Sequence, residues 1–404
     1  MKRTKSVVAS GVATLALTMI GAQALDLELI GRYGQLDEEG NPNEEAFDGS
    51  AAEIPTYDPA TERVFVTNAF TDGIDVIDIS DPTDPALELS IVLEDGSPNS
   101  VVWAGDFLAV ALDNGTDPGN VAFYDADGNK LGVVEVGVLP DAITVSPDGT
   151  KLVTSNEGQP SDDNTVDPEG SVSIIDISGG AVAATVETVT FESLNSQEDE
   201  LKAMGIRIFG EIYVQVGVEE VVDEETGEIV EVPIYEFDRF TTVAEDLEPE
   251  YAAISGDSST AYVTLQENNA LAVIDLDAAA LAGVVPLGLK DHYAFGNGLD
   301  PSNRDNFVGK IREHKVLGMY QPDAIAAYEV EGETFLVTAN EGDSRDYDNF
   351  SEEIRGADLP DEGFSFQGGK GLIKNDKKLG RLKTTIAPPE TAVAGVDKKG
   401  NIIL

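Results

Sequence analysis

One motif recurs along this chain and limits its fold more than any other feature. Each copy begins with an acidic residue, runs through a strand, a tight turn and a second strand, and ends in a polar pair with a carboxylate or an amide. The copies lie at residues 52–69, 139–158, 247–268 and 320–347. Short strands that repeat at roughly 40–45 residues predict an all-β protein built from four-stranded blades, a β-propeller. A β-sandwich is the alternative, but its strands do not repeat as a motif.

Three longer segments interrupt the repeat, at about residues 193–240, 288–315 and 346–378. In the first, residues 197–204 are expected to form one short helix, which Ser196 caps and Gly205 ends. Two alternating runs within 212–237 then predict a protruding β-hairpin with its turn at 223–227. Apart from these insertions, we expect residues 25–404 to form one propeller domain.

The first 24 residues predict a signal peptide. Three basic residues precede an apolar run, and Ala22-Gln23-Ala24 is typical of a cleavage site with small residues. We therefore expect an exported protein, located in the periplasm, outside the cell or on the cell surface. No later stretch approaches the roughly 18 apolar residues that a transmembrane segment needs.

The ionisable residues restrict the partners and metals of the chain. Its formal charge is −51, from 76 acidic and 25 basic residues. A field of that sign repels nucleic acid, so no nucleic-acid partner is expected. Because the sequence has no cysteine and two histidines, His292 and His314, a zinc site built on several such ligands is excluded. Oxygen-donor cations such as Ca²⁺ or Mg²⁺ are favoured instead.

Several carboxylates recur at equivalent places of the motif. Glu53, Asp141, Glu250 and Asp323 begin a copy, whereas Glu157, Glu267 and Glu341 follow its second strand. Equivalent positions of successive blades meet around one rim, and facing carboxylates repel each other unless a cation neutralises them. The predicted ligands of Ca²⁺ (or Mg²⁺) are Asp141, Glu157, Glu250, Glu267, Asp323, Glu341, Asp343 and Asp346. The alternative is that each acid accepts hydrogen bonds from the N–H groups of its own turn.

Basic side chains near the acidic loops suggest a second kind of chemistry. Arg345 and Arg304 lie within such loops, and Lys290 and His292 precede one of them. Together with a cation, these groups are of the kinds that bind a phosphoryl group during hydrolysis. Alternatively, the arginines neutralise neighbouring acids and His292 is a surface imidazole. No nucleophile motif accompanies the four candidates, since GxSxG and the P-loop are both absent.

Several stretches resemble the choice-of-anchor I family. They include LPDAITVSPDGTKLVTSNEG, RIFG, DLEPEYAAIS, LKDHYAFGNGLDPSNRD, GMYQPDAIAAYEV and LVTANEGDSRDY, in the order typical of the family. The resemblance implies a YVTN/WD40-like propeller that is exported or displayed on the cell surface, as in the mesenchyme-specific cell-surface glycoproteins. Some members are labelled atypical alkaline phosphatases.

The chain departs from the family in two respects. The hairpin at 212–237 is an insertion relative to most members, and the sequence ends at Leu404, where related chains continue with further blades and an anchor. We therefore expect a propeller of the seven-bladed type that is incomplete at its C-terminus, with about five to six blades.

Three functions follow as alternatives. The first is a propeller that binds divalent cations and a surface or polymer ligand. The second, implied by the family label, is a Ca²⁺-dependent, alkaline-phosphatase-like phosphomonoesterase that acts on phosphate esters. The third is a protein–protein interaction scaffold with the hairpin as its docking element.

Overall fold

The computed structural model describes residues 28–34, 52–222, 229–360, 364–365, 370–392, 395–396 and 402–403. The predicted signal peptide, the turn of the predicted hairpin at 223–227 and parts of the 346–378 segment lie outside the described residues.

Four antiparallel four-stranded sheets follow one another along the chain, each with its strands in sequence order. The first three blades contain β1 (Pro55–Asp58), β2 (Arg63–Asn68), β3 (Gly73–Asp78), β4 (Ala86–Val92), β5 (Ser97–Trp103), β6 (Leu108–Asp113), β7 (Pro118–Tyr124), β8 (Lys130–Val138), β9 (Pro140–Val145), β10 (Lys151–Asn156), β11 (Ser171–Asp176) and β12 (Thr185–Thr190). A separate hairpin is formed by β13 (Glu211–Val222) and β14 (Ile229–Phe240). The fourth blade contains β15 (Pro249–Ile254), β16 (Thr260–Leu265), β17 (Ala270–Asp275) and β18 (Ala280–Pro286). The all-β prediction is therefore confirmed.

The chain after the fourth blade is less regular. A short pair, β19 (Lys290–Asp291) and β20 (Leu317–Gly318), closes the base of the 288–315 segment. The described part of the fifth blade consists of two paired strands, β21 (Pro322–Val330) and β22 (Glu333–Asn340). The remaining strands are β23 (Glu353–Arg355), β24 (Phe364–Ser365), β25 (Lys383–Thr385), β26 (Gly395–Val396) and β27 (Ile402–Ile403). The number of blades and the closure of the ring stay predictions.

Helices are few in the described part of the chain. A 3-10 helix (Glu192–Gln197) runs into α1 (Glu198–Met204), which ends at Gly205 in the left-handed conformation, with φ of 100°. The end of the predicted helix is thus confirmed, but Ser196 is not its cap, because it lies inside the 3-10 turn that precedes α1. Two one-turn helices, α2 (Val243–Asp246) and α3 (Lys370–Ile373), and two short 3-10 helices (Ala181–Ala183 and Glu390–Ala392) were not expected from the sequence.

The core lies between neighbouring blades. Phe65, Ile74 and Val76 of blade 1 form one buried cluster with Leu108 and Val110 of blade 2. Similar clusters join blade 2 to blade 3 and blade 3 to blade 4. Because both faces of a middle blade are covered, its strands carry nearly continuous apolar runs instead of a strict alternation.

The first strands of the blades, β1, β5, β9, β15 and β21, lie side by side and are called the inner strands. A hydroxyl group, from an inner strand or from β16 in blade 4, joins each described pair of neighbouring blades. The bonds are Trp103 N–H to Thr56 Oγ1 (2.9 Å), Ile143 N–H to Ser100 Oγ (3.3 Å), Thr144 Oγ1–H to Ala252 O (2.9 Å) and Thr264 Oγ1–H to Asp323 O (2.8 Å). The inner strands line a cavity of about 320 Å³, which is called the channel. This arrangement is that of a β-propeller.

Candidate metal centre

An acid stands at the second residue of three inner strands, directly after the proline that begins the strand. The pairs are Pro140-Asp141, Pro249-Glu250 and Pro322-Asp323. In blade 3, Pro140 faces Asn156 whereas Ala142 faces Ser155, so Asp141 lies in a β-bulge. The register also shifts after Pro249 and after Pro322. Since a bulge re-aims a side chain out of the normal alternation, the three acids share one unusual position at the start of the channel.

The same position differs in the first two blades. Blade 2 has the amide Asn99 after Pro98, with the same register shift. Blade 1 has Glu53, which is exposed and precedes β1. Carboxylates in the bulge are therefore restricted to blades 3, 4 and 5 of the described chain.

Glu157 reaches the same region from the end of β10. Its N–H donates to the carbonyl of Leu139 (2.8 Å), and the N–H of Gly158 donates to the carbonyl of Val138 (3.1 Å). Leu139 is left-handed, with φ of 48°, where the chain turns from β8 into β9. As a result, one carboxylate oxygen each from Asp141, Glu157 and Glu250 lies within 4.8 Å of the other two. These three residues are called the acid triad.

The acid triad is an unfavourable place for negative charge. Burial raises the pKa of Asp141 to about 7, and the carboxylates of Asp323 and Glu53 add to the shift. Burial also raises the pKa values of Glu157 and Glu250 well above their ordinary value, and in both cases other triad carboxylates contribute. Among the described residues, no hydrogen bond is donated to the side-chain oxygens of the triad.

Other acids of the same blades behave in the opposite way. The Asp148 carboxylate accepts hydrogen bonds from Ser146 Oγ (2.7 Å) and from the N–H of Thr150 (3.0 Å), which lower its pKa. Asp257 occupies the equivalent turn of blade 4, where hydrogen bonds from Ser255 and Ser259 lower its pKa to about 2. Turn-capping aspartates therefore exist in this chain, but they are different residues from those of the triad.

Glu267 lies behind the triad at the end of β16. It is buried, its Oε2 has no hydrogen-bond partner, and burial raises its pKa to about 7 despite the attraction of Arg345. Its charge in turn raises the pKa values of Glu157 and Glu250. Glu267 is thus a fourth acid of the cluster, with an oxygen left free of any protein donor.

Arg345 is a buried positive charge that favours the ionised form of Glu157, but its guanidinium is already engaged. Its Nη1 lies 2.6 Å from Asp246 Oδ1, and its Nη2 lies 3.0 Å from Glu248 Oε1. It also stacks 4.5 Å from the ring centre of Phe209. The geometry accords with an arginine that neutralises neighbouring acids, and it leaves the triad without a counter-charge of its own.

A second arginine, Arg207, supports this arrangement. It pairs with buried Glu352, donates to the carbonyl of Glu267 (2.5 Å), and lies 4.1 Å from the ring centre of Phe209. Sequence reasoning did not assign a role to Arg207, Phe209, Asp246 or Glu248. The available signal was their position in the RIFG and DLEPEY stretches, which the structure places around Arg345.

The other predicted ligands lie outside the triad. Asp323 is half-buried, and burial together with Glu341 raises its pKa. Glu341 is exposed and accepts a long hydrogen bond from Gln266 Nε2 (3.4 Å). Asp343 is exposed and raises the pKa values of Glu157 and Glu267 through its charge. Asp346 is exposed and forms an isolated bridge with Ser351.

The remaining catalytic candidates, Lys290, His292 and Arg304, belong to the 288–315 segment. Lys290 and Arg304 are exposed. The Nδ1 atom of His292 lies 2.7 Å from the carbonyl oxygen of Asn297, so this nitrogen carries the proton of the neutral ring. These contacts are local to the segment, and a phosphatase role for the three residues and Arg345 stays a prediction.

The donor set of the triad fits a hard divalent cation. Three carboxylates without protein donors provide negative oxygens at a separation that one ion can bridge, and Ca²⁺ takes six to eight such oxygens. The lack of thiol and imidazole at the site disfavours softer metals.

No helix in the described part of the chain is both long and apolar enough to cross a membrane.

Comparison with known proteins identifies one family. The model of the choice-of-anchor I domain matches residues 53–394. No curated protein sequence matches the chain. Among solved structures, the hydrazine synthase of Kuenenia stuttgartiensis is similar at 16% identity, over 59% of this chain and 76% of that one, with a TM-score of 0.30. A putative 6-phosphogluconolactonase from Bacteroides fragilis is similar at 15% identity, over 57% of this chain and 52% of that one, with a TM-score of 0.32.

Proposed function

The chain belongs to the choice-of-anchor I domain family, and from that premise we propose that it is a propeller of the cell surface that binds Ca²⁺ at the acid triad and a surface or polymer ligand through the bound ion. Membership of the family supports a cell-surface or exported β-propeller. The cation and the ligand are the proposed part.

One observation carries the proposal. The oxygens of Asp141, Glu157 and Glu250 lie within 4.8 Å of one another, and no described donor satisfies them. Glu157 is buried, and Asp141 and Glu250 are half-buried. Carboxylates that are withdrawn from water are normally paired or hydrogen-bonded, because an isolated charge is costly to desolvate. Two neutralising agents remain, a proton or a metal ion, and a metal ion is the one that serves three carboxylates at once.

Ca²⁺ is favoured over Mg²⁺ by the irregular origin of the ligands. Two acids come from bulges and one from a loop, so the site has no reason to be octahedral. Mg²⁺ demands near-ideal octahedral geometry, whereas Ca²⁺ accepts variable numbers and angles of oxygen ligands.

Isothermal titration calorimetry tests the proposal. Chelator-treated protein is titrated with CaCl₂ and with MgCl₂ at pH 8, together with Glu250→Gln and with Asp148→Asn as the matched control. We expect binding of Ca²⁺ that Glu250→Gln weakens by at least about tenfold, since affinity follows the number of ligand charges. Asp148→Asn should bind as the wild type does, because Asp148 caps a turn. No heat of Ca²⁺ binding, or equal affinity in all three proteins, would refute the site.

A specific observation also favours the interaction scaffold as a second function. Eleven large apolar side chains of the hairpin are exposed, namely Val214, Val216, Val218, Val221, Val222, Ile229, Val230, Val232, Ile234, Phe237 and Phe240. A two-stranded hairpin is marginally stable alone in water, and exposed apolar patches often mark interaction sites. The two strands also carry six acids and one base, so a basic, extended partner segment is expected to add to an edge of the hairpin.

This scaffold function is tested with a synthetic peptide of alternating lysine and valine. We expect the peptide to bind the wild type and to lose affinity when Val218 and Val232 are both changed to threonine. A peptide of alternating glutamate and valine is the control for charge. Equal binding of the two peptides, or no effect of the double variant, would contradict a docking role for the hairpin.

A further inference from the structure

The channel between the inner strands has an uncharged wall, although the whole chain is strongly acidic. None of the side chains that line the cavity of about 320 Å³ is charged, and most are aliphatic, with Ile54, Val102, Val145 and Ile325 among them. The hydroxyls of Thr56 and Thr144 in the wall are both hydrogen-bonded to a neighbouring inner strand. The wall therefore presents mainly apolar side chains and backbone to an occupant.

Two acids of the triad, Asp141 and Glu250, and the neighbouring Asp323 lie next to this cavity along the chain. Asp141 is two residues before Ile143 of the wall, Glu250 directly precedes Tyr251, and Asp323 is two residues before Ile325. Residues two apart in a strand are separated by about 7 Å. A cation on the triad would therefore lie within reach of the end of the cavity.

Tyr251 stands where the cluster and the cavity meet. It directly follows Glu250 in the chain, and a phenol, with an ordinary pKa of about 10, is a neutral donor at pH 8. Tyr251 also lines the cavity. A ligand oxygen at this point would find both a cation and an O–H donor.

We propose that the channel binds a small amphipathic anion, whose carboxylate or phosphate head completes the coordination of the cation and whose short apolar chain enters the channel. This proposal rests on the proposed cation site. A channel of about 320 Å³ is at the lower end of the size range of small-molecule pockets, which suits a chain of a few carbons. Three carboxylates leave coordination positions of Ca²⁺ open, so an anionic head has a place to bind.

Calorimetry with defined probes tests this inference in the Ca²⁺-loaded, full-length protein. Hexanoate and hexyl phosphate carry both head and chain, acetate and inorganic phosphate carry the head alone, and hexanol carries the chain alone. Hexanoate has four more methylenes than acetate, and their burial predicts an affinity about 100-fold higher. The two heads show whether carboxylate or phosphate is preferred. Equal affinity for hexanoate and acetate would overturn the role of the channel, as would binding of hexanol as tight as that of hexanoate.

Two variants separate the channel from the metal site. Ala326 lines the cavity and is exposed, so Ala326→Phe should reduce the cavity without disturbing the core. We expect it to bind Ca²⁺ as the wild type does and to lose at least about tenfold in hexanoate affinity, as the lost methylene contacts predict. Ala282→Phe, at an exposed position of β18, is the control and should affect neither. Normal Ca²⁺ binding with no hexanoate binding overturns this inference alone, whereas absence of Ca²⁺ binding overturns the proposed function and this inference together.

Discussion

Replacement of Asp141 by asparagine should stabilise the protein in the absence of Ca²⁺, and this advantage should disappear as Ca²⁺ is added. In the unfolded chain Asp141 releases its proton near its ordinary pKa of 3.8, whereas in the folded chain it holds the proton up to about pH 7. Between these values the folded state binds more protons than the unfolded state, so the free energy of unfolding falls as the pH rises. Above about pH 7 the loss of stability that comes from ionising Asp141 in the folded protein is fully present.

The magnitude follows from the size of this shift. A rise from 3.8 to about 7 corresponds to a loss of about 4 kcal/mol of stability at pH 8, at 1.36 kcal/mol per pKa unit. Asp141→Asn keeps the shape of the side chain and removes the charge, so it should recover up to that amount in chelator at pH 8. At pH 4 the wild-type carboxyl is protonated in the folded state, and the two proteins should be nearly equal.

Calcium should remove this advantage. A ligand that binds only the folded state adds about 4.1 kcal/mol at 1,000 times its Kd, which matches the gain expected for Asp141→Asn in chelator. The wild type should gain this stabilisation, whereas Asp141→Asn, which lacks one of three ligands, should gain little. Urea unfolding at pH 4 and pH 8, with chelator and with Ca²⁺, measures all the values.

Asp148→Asn provides the control for this comparison. Asp148 is exposed and its pKa is lowered by hydrogen bonds, so its loss should destabilise at pH 8, by an amount that does not depend on Ca²⁺. The reasoning is refuted if Asp141→Asn is no more stable than the wild type in chelator at pH 8. It is also refuted if Ca²⁺ stabilises both proteins equally.

Two further substitutions test how the surroundings of the triad are held. Arg345→Met should lower the free energy of unfolding by about 3–5 kcal/mol, because it leaves buried Asp246 and Glu248 without their counter-charge. The control is Arg63→Met, which removes a partly exposed pair with Glu88 and should cost about 1 kcal/mol or less. Equal losses of the two variants in urea unfolding would contradict the difference between a buried and an exposed ion pair. Gly170→Ala should lower the free energy of unfolding by about 1–3 kcal/mol, because a Cβ there would lie 1.9 Å from the carbonyl oxygen of Leu247. The control is Gly283→Ala, which has nothing within 4 Å of its Cβ and should be close to neutral. A neutral Gly170→Ala would show that the segments around Gly170 and Leu247 separate easily.

The repeat in the sequence predicted where the acids would lie, because equivalent positions of successive blades are related by rotation about one axis. Asp141, Glu250 and Asp323 are the second residues of three inner strands, as that reasoning requires. Which acids meet depends on the register of each blade. The bulge that follows each proline leaves no mark in the hydrophobic pattern, because it lies at the start of the strand and only the proline precedes it.

Which of the predicted ligands are buried and which are exposed likewise depends on the tertiary structure. Glu157 and Glu341 occupy equivalent places after a second strand, yet Glu157 is buried in the triad and Glu341 is exposed. The difference arises because blade 3 is covered by blade 4 and by the loop that carries Arg345, whereas the described strands of blade 5 have less around them. A motif records the local fold of each copy but not what packs against it.

The partners of Arg345 also depend on the tertiary structure. Its sequence neighbours are acids, which permitted either a catalytic role or neutralisation. Its principal partners, Asp246 and Glu248, lie about a hundred residues earlier in the chain, as the sequence separations of 99 and 97 show. No spacing rule links such distant residues, so the pairing could not be inferred before the fold was known.

The engaged state of Arg345 bears directly on what neutralises the triad. An arginine that already serves two buried carboxylates has little charge left for a third group, and its attraction does not prevent the pKa of Glu267 from rising to about 7. Below that pH, protons neutralise the cluster; above it, a cation must do so or the folded state loses stability. Metal binding to such ligands displaces protons, so the same carboxylates can hold protons in acid and Ca²⁺ in alkaline conditions. On this argument the raised pKa values and the proposed cation site are two consequences of one arrangement, the close approach of one buried and two half-buried carboxylates without a protein donor.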